Sequence, residues 1–198
     1  MVKLKQHEVI LEGKTPPGRN IRLRSMTEDD WDILAKWNSD PEVLYYSEGG
    51  NVTAYTLEQV QEIYRSVGKN AFCFIIEVDG KPVGECWLQK MNLERILQKY
   101  PDVDCRRIDL MIGEKQYWGK GIGTLVIHLL TEFGFVREDA DIIFGITLDY
   151  NVRCIRAFQK AGYEIVSKIK EAPGRKANYE YDLALTKEEF FEKREKGQ

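Results

Sequence analysis

The chain is poor in the residues that would announce several large classes of function. It has two histidines, His7 and His128, far apart. Its four cysteines, Cys73, Cys86, Cys105 and Cys154, are widely spaced with no Cys-x-x-Cys. A structural zinc site needs four converging nitrogen or sulfur ligands, so no metal is expected, and the cysteines read as ordinary buried or half-buried thiols. There is no excess of positive charge. Twenty-nine Lys and Arg stand against 32 Asp and Glu, for a net charge of −3, which argues against a dedicated nucleic-acid binder. No apolar run approaches the roughly 18–20 residues of a membrane-crossing helix. The N-terminal stretch has neither the apolar core nor the small-residue cleavage site of a secretory signal. No membrane association and a cytoplasmic location are the expectation. Internal repeats and low-complexity tracts are also lacking.

What is present is 43% hydrophobic and 31% charged residues over a length of 198, enough for one domain with its own core. A strand is expected over His7–Glu12, ended by the breaker Thr15, Pro16, Pro17, Gly18. A second follows over Asn20–Ser25. Thr27 with Asp30 makes a capping box for a helix over Glu28–Asn38, which stops by Pro41. Thr56 opens another helix, with Leu57, Val60, Tyr64 and Val67 on one face. Ala71–Val78 and Lys81–Met91 form a hairpin about Asp79-Gly80. A polar loop covers Asn92–Asp104, and Arg106–Ile112 is the next strand. Ile122, Leu125, Val126, Leu129, Leu130 and Phe133 form a helical stripe. Asp141–Thr147 is a buried strand. Val152–Ala161 is a helix with Cys154, Ile155, Phe158 and Ala161 inward, and Gly162 follows its end. Strands near Glu164–Glu171 and Asn178–Leu185 precede a short helix capped by Thr186. This order implies an α/β fold: one mixed sheet with helices on both faces.

The segment richest in chemistry is Gln116, Tyr117, Trp118, Gly119, Lys120, Gly121, Ile122, Gly123, between a strand and a helix. Its glycines permit positive φ and close approach of a ligand. The free N–H groups of the following helix turn favour an anion such as a pyrophosphate, and Lys120 adds a positive charge. The glycine spacing is neither that of a Walker loop nor that of a Rossmann fingerprint. A tight strand-to-helix turn with no ligand is the alternative.

Gln116 to Gly121 is similar to the Gln/Arg-x-x-Gly-x-Gly/Ala signature of the GCN5-related N-acetyltransferases, the GNAT superfamily. The element order matches over roughly residues 20–185, and Asn151 to Tyr163 resembles the family's second cofactor motif. The resemblance implies a single-domain GNAT fold, a mostly antiparallel sheet with a splayed central pair of parallel strands. It implies acetyl-CoA in the splay, with Leu110, Met111 and Ile112 along its pantetheine arm. Tyr117, Trp118, Gly119, Lys120, Gly121, Ile122, Gly123 and Thr124 would cradle the pyrophosphate. Asn151 would meet the pantetheine, and Ala157, Phe158 and Lys160 its thiol end or nucleotide. Core packing is a second reading of Ala157 and Phe158, and for Phe158 the two are compatible. Residues 1–19 fall outside the family core, as an extension that can add an edge strand or contact a second subunit. Residues 20–185 are the catalytic domain, and residues 186–198 a short helix or tail.

Several local features resemble aminoglycoside 6'-N-acetyltransferases. They are Asp40 to Leu44 followed by Glu48, Gly49 and Gly50; Tyr55 to Glu58; Val83-Gly84 with Trp87; Ile108 to Glu114; and Tyr117 to Thr124. This resemblance implies antibiotic resistance as the role, and makes Asp109 the carboxylate that faces the substrate amine as general base. The chemistry needs one, because alkyl amines are mostly protonated near neutral pH. Asp109 also reads as a strand-edge charge paired with Arg106 or Arg107, although it interrupts an apolar stretch. Backbone N–H groups around Ile112 are candidates for the oxyanion. Many relatives carry a tyrosine seven residues after the Asn to protonate the leaving thiolate; here Phe158 stands there. Tyr150 and Tyr163 are substitutes that the sequence does not separate.

On the acceptor side, Tyr46, Glu48, Trp87 and Asp109 are the expected contacts. Glu28, Asp29, Asp30, Asp32, Asp40, Glu42 and Glu48, with Lys36 the one base among them, read as a negative lip for a polycation or as a solvated helix face. The leading expectation is acetyl transfer to a primary amine of a small polycation, an aminoglycoside first, by a monomer or homodimer. A polyamine acetyltransferase and a protein N-terminal acetyltransferase are the alternatives within the fold. A non-catalytic acyl-CoA sensor is the alternative outside it.

Overall fold

The computed structural model describes residues 3–16, 18–49, 52 and 54–196. Pro17 of the expected breaker and Gly50 lie outside the described residues, as do 1–2 and 197–198 at the two ends. The elements run β1 (Leu11–Lys14), β2 (Asn20–Ser25), α1 (Trp31–Trp37), α2 (Pro41–Ser47), α3 (Leu57–Val67), β3 (Ala71–Val78), β4 (Lys81–Lys90), α4 (Glu94–Lys99), β5 (Cys105–Ile112), α5 (Ile122–Glu132), β6 (Ile142–Leu148), α6 (Val152–Lys160), β7 (Glu164–Lys170), β8 (Tyr179–Thr186) and α7 (Lys187–Glu195). One eight-stranded sheet has the order β1-β2-β3-β4-β5-β6-β8-β7. Neighbours are antiparallel except β5 and β6.

Alternation along the strands fills two cores. Ile21, Leu23, Phe74, Ile76, Cys86, Leu88 and Ile108 point to one face, where α5 and α6 deliver Ile122, Val126, Ile127, Leu130 and Phe158. Each such side chain, fully buried, contributes roughly 1.5–3 kcal/mol. Cys73, Ile75 and Met111 point to the other face, under Trp31, Leu34 and Trp37 of α1, Val43 of α2 and Val60 and Tyr64 of α3.

Four expectations about elements are corrected. The strand expected over His7–Glu12 starts only at Leu11, because the His7 ring turns inward. Its Nε2 lies 3.0 Å from the Cys73 carbonyl and the ring packs 4.5 Å from Phe74. The helix expected from Glu28 opens as a 3-10 turn over Glu28–Asp30, where Asp30 accepts the Thr27 N–H at 2.8 Å and pairs with Arg24 at 2.7 Å. The stretch 92–104 is not all loop. It contains α4, whose Ile96 drops into a small cluster with Met91, Cys105 and Phe144. Leu57, at the first position of α3, stands 42% exposed and not on the inner face. A further helix, α2, follows Pro41, its start capped by Asp40, which accepts the Glu42 N–H at 2.9 Å.

The central feature is a splay. β5 and β6 pair from Cys105↔Ile142 to Ile108↔Gly145 and no further. Beyond that point Asp109–Ile112 pair with β4 alone, and Ile146–Leu148 with β8 alone. Gly145 sits where the strands part. A Cβ there would stand 2.3 Å from the Phe158 ring, so the glycine is what lets the end of that ring reach β6.

Candidate active site

Two cavities meet at the splay and share Tyr46, Ser47, Leu110, Met111, Asn151 and Cys154.

The first, about 310 Å³, is lined by Leu110, Met111, Ile112, Tyr117–Thr124, Asn151, Ala157 and Lys160. It therefore gathers every residue assigned to the cofactor from sequence except Phe158. Gly119 and Gly121 have φ of 72° and 78°, a left-handed conformation that favours glycine. A Cβ on either would meet no protein atom within 4 Å. Gly121 is the N-cap of α5; it brings no side-chain cap, and the first turn of the helix holds no acid. Among the described residues no side chain caps the first-turn N–H groups, which suits them to an acceptor from outside the chain. Lys120, Arg153, Arg156 and Lys160 line the same cavity as that helix end. Trp118 fixes the loop, donating from Nε1 to the Ile112 carbonyl at 2.7 Å. The Arg153 guanidinium lies 4.1 Å over its ring and 4.4 Å over that of Tyr46. Glycines, free N–H groups and cations together fit a pyrophosphate. Arg153 and Arg156 were not singled out from the sequence; two cations three residues apart, within one helical turn and on either side of Cys154, were the available signal.

Asn151 lies where the cavities meet, but both ends of its side chain already have partners. Oδ1 accepts the Cys154 N–H at 3.2 Å, capping α6, and Nδ2 donates to the Tyr46 carbonyl at 3.2 Å. Phe158 reaches only the second cavity and is otherwise core, edge-on to Tyr163 at 5.1 Å. Of the two substitute tyrosines, Tyr163 is buried with its hydroxyl 2.7 Å from that of Thr131. Tyr150 donates to the Tyr45 carbonyl at 2.6 Å, and partial burial beside Tyr45 and Asp149 pushes its phenol up to about 12.

The second cavity, about 480 Å³, contains Tyr46, Glu48, Trp87 and Asp109 together. Asp109 is gripped from three sides. Its Oδ2 accepts from Trp87 Nε1 at 2.9 Å, Gln89 Nε2 at 3.1 Å and Arg107 Nε at 2.6 Å; its Oδ1 accepts from Arg107 Nη2 at 3.0 Å. Strand register explains the grouping. Trp87 is opposite Asp109 and Gln89 opposite Arg107, so all four share one face of the β4–β5 ladder. Glu85, two residues before Trp87, lines the same cavity while only 3% exposed.

The negative lip expected over residues 28–48 is largely neutralised. Glu28 pairs with Arg65 at 3.1 Å, Asp30 with Arg24, and Asp40 and Glu42 with Lys115 at 2.8 and 3.0 Å. Only Glu48 of that run lines the cavity. The carboxyls there are instead Glu48, Glu85, Asp109, Glu171 and Glu180, set against Arg107 and Arg175.

A sheet that splays beside a glycine-rich helix start, with a carboxyl-lined chamber opposite, is an arrangement suited to group transfer from an anionic donor. The sequence profile of the Acetyltransferase (GNAT) domain matches residues 20–164. The chain belongs to the GNAT acetyltransferases, and acetyl-CoA is its acetyl donor. It is 27% identical over 150 residues to the aminoglycoside N(6')-acetyltransferase type 1 of Klebsiella pneumoniae, covering 73% of this chain and 74% of that one. Its fold is similar to that of AAC(6')-Ib in complex with ribostamycin and coenzyme A, with a TM-score of 0.76 and 24% identity over 88% of this chain and 97% of the other. It is also similar to the spermidine N-acetyltransferase from Vibrio cholerae in complex with CoA and spermine. There the TM-score is 0.71 at 14% identity, covering 86% and 98% of the two chains.

Proposed function

We propose that the chain acetylates a primary amine of a small polycationic acceptor, an aminoglycoside 6'-amine first, with Asp109 receiving the amine. The observation that carries this reading is the polarity of the splay. A basic cavity with free helix N–H groups opens on one side, and a chamber richer in carboxyls than in guanidiniums opens on the other. An anionic donor and a cationic acceptor are each drawn to their own side. The identity with the Klebsiella enzyme supports the aminoglycoside class, and the likeness to a polyamine enzyme's fold is compatible with the broader one.

Bound acetyl-CoA supplies the activated acetyl group; the chain's own residues supply position and proton acceptance. Gly119, Gly121 and the first turn of α5, with Lys120 and Arg153, hold the pyrophosphate. The edge of Leu110–Ile112, past the end of its pairing with β6, offers main-chain groups to the arm. Asp109 attracts the ammonium and takes its proton. Three of the four hydrogen bonds to its carboxylate converge on Oδ2. Oδ1 has one, from Arg107, and so keeps lone-pair capacity for the acceptor. Arg107, Trp87 and Gln89 fix the orientation of the carboxylate rather than occupy it.

Asp109→Asn keeps the shape but removes the base. It should lower turnover with an aminoglycoside at neutral pH by about 10²–10⁴-fold, with acetyl-CoA affinity unchanged in a binding titration. Unchanged turnover would remove Asp109 from the reaction.

A further inference from the structure

Glu85 lies where a carboxylate is costly. It stands in the middle of β4, 3% exposed, between Gly84 and Cys86. Its Oε2 has no hydrogen-bond partner among the described residues. Isolated buried carboxyls are expensive, and native chains almost always pair them. Its neighbours do not solve the problem. The Tyr64 hydroxyl, which accepts from Asn38 Nδ2 at 3.1 Å, turns its own proton toward the carboxyl and favours its charge, but Oε2 remains without a partner. The other groups facing it are carboxylates, Asp109 from β5 and Glu48 from the end of α2. Of the two guanidiniums that line the chamber, Arg107 is spent on Asp109 and Arg175 pairs with Glu171 at 3.7 Å. Among the described residues no cation pairs with Glu85, which leaves that place to a ligand.

Register fixes where that cation would sit. Trp87 is opposite Asp109 and Glu85 opposite Met111. The two carboxyls are therefore diagonal neighbours on one face of the ladder, on the order of 7 Å apart, and both line the acceptor chamber. We propose that Glu85, with Glu48, forms a second subsite that takes another ammonium group of the acceptor, so that the protein selects amines carrying a second basic nitrogen about that distance from the reacting one. This rests on the acceptor chamber assigned above and names its specificity element. A hydroxyl beside the Glu85 carboxyl could bond to it but would leave three carboxyls facing one another; an ammonium answers both needs. Glu85 is a binding group here, and no proton transfer is asked of it.

The test uses acceptor pairs that share the reactive end and differ by one amine: methyl 6-amino-6-deoxyglucoside against its 2,6-diamino counterpart, and pentylamine against 1,5-diaminopentane. Kinetics are measured for the wild type, Glu85→Gln and Glu85→Leu. In at least one pair the wild type should prefer the diamine by about tenfold or more in kcat/KM. Both variants should bring that ratio to near parity through KM, with kcat and acetyl-CoA affinity kept. A carboxyl held for ligand rather than for stability also predicts a higher Tm in Glu85→Leu. Acetylation of both members of a pair with the wild-type ratio intact in the variants overturns the inference and leaves the proposed function standing. Loss of folding in both variants overturns it as well, by making Glu85 structural. A wild type that binds acetyl-CoA but acetylates none of the four overturns the proposed function, and the inference with it.

Discussion

Asp109 and Glu85 share one face of one strand pair, yet their surroundings make them opposites. Asp109 is held by a guanidinium, an indole and an amide. Glu85 has burial and two carboxylates for company, and both push its proton affinity well above the usual carboxylate range. The sign of the stability effect follows. In the unfolded chain Glu85 ionises near about 4.3, whereas the folded chain keeps its proton to higher pH. Above that point the folded state binds more protons, so Glu85 lowers stability as pH rises, by up to about 1.4 kcal/mol per unit, until its folded value is passed. Below it Glu85 contributes nothing. The Tm advantage of Glu85→Gln over the wild type should accordingly be small at pH 4 and grow toward pH 7 in thermal unfolding at a series of pH values. A gap independent of pH would contradict this. Asp109 was legible because it interrupts an apolar strand and matches a family position. Glu85 interrupts β4 in the same way, but no motif drew attention to it, and the pairing that separates a satisfied carboxyl from an orphaned one is a property of the fold.

At the scale of elements, periodicity located what is long and one-sided. α5, α6 and the β3–β4 hairpin follow directly from their apolar spacing and from Asp79-Gly80, whose φ values of 50° and 77° fit a tight hairpin turn. The helices that periodicity overlooked, α2 and α4, have seven and six residues. Two turns repeat no apolar position often enough to register, and each is held by a few tertiary contacts instead. The splay was expected from resemblance alone; nothing in the residues of β5 or β6 shows where their pairing stops. Gly145 carries a testable part of it. A Cβ 2.3 Å from the Phe158 ring cannot be accommodated without displacing α6 or β6. Gly145→Ala should cost about 1–3 kcal/mol of stability and weaken acetyl-CoA binding, because α6 carries Arg153, Arg156 and Lys160 into the donor cavity. Wild-type Tm and affinity in that variant would show that the ring has room to move.

The whole molecule is nearly neutral, with a net charge of −3, but its charge is sorted across the splay. Bulk composition could not reveal this division, which arises when β4, β5, α2 and α6 converge from distant parts of the chain. The seven acids of residues 28–48 looked like the substrate lip in sequence; folding spends four of them on Arg24, Arg65 and Lys115 and recruits Glu85, Glu171 and Glu180 to the chamber in their place. Long-range attraction of this kind is screened by salt. Raising the salt from about 0.02 to 0.2 M, over which the screening length falls several-fold, should increase KM for a polycationic acceptor several-fold. KM for a monoamine should change much less in the same steady-state series. Equal changes for both would argue against a charged acceptor chamber.

The measurement that bears most directly on the acetyl acceptor is thiol release from acetyl-CoA by the full chain, with kanamycin, spermidine or a peptide beginning with serine or alanine as acceptor, followed by identification of the acetylated nitrogen. Release is expected with kanamycin, with the acetyl group on its 6'-nitrogen, more slowly with spermidine, and at background with the peptide. Release with the peptide alone, or with no acceptor although acetyl-CoA binds, would contradict a small polycationic amine as the substrate.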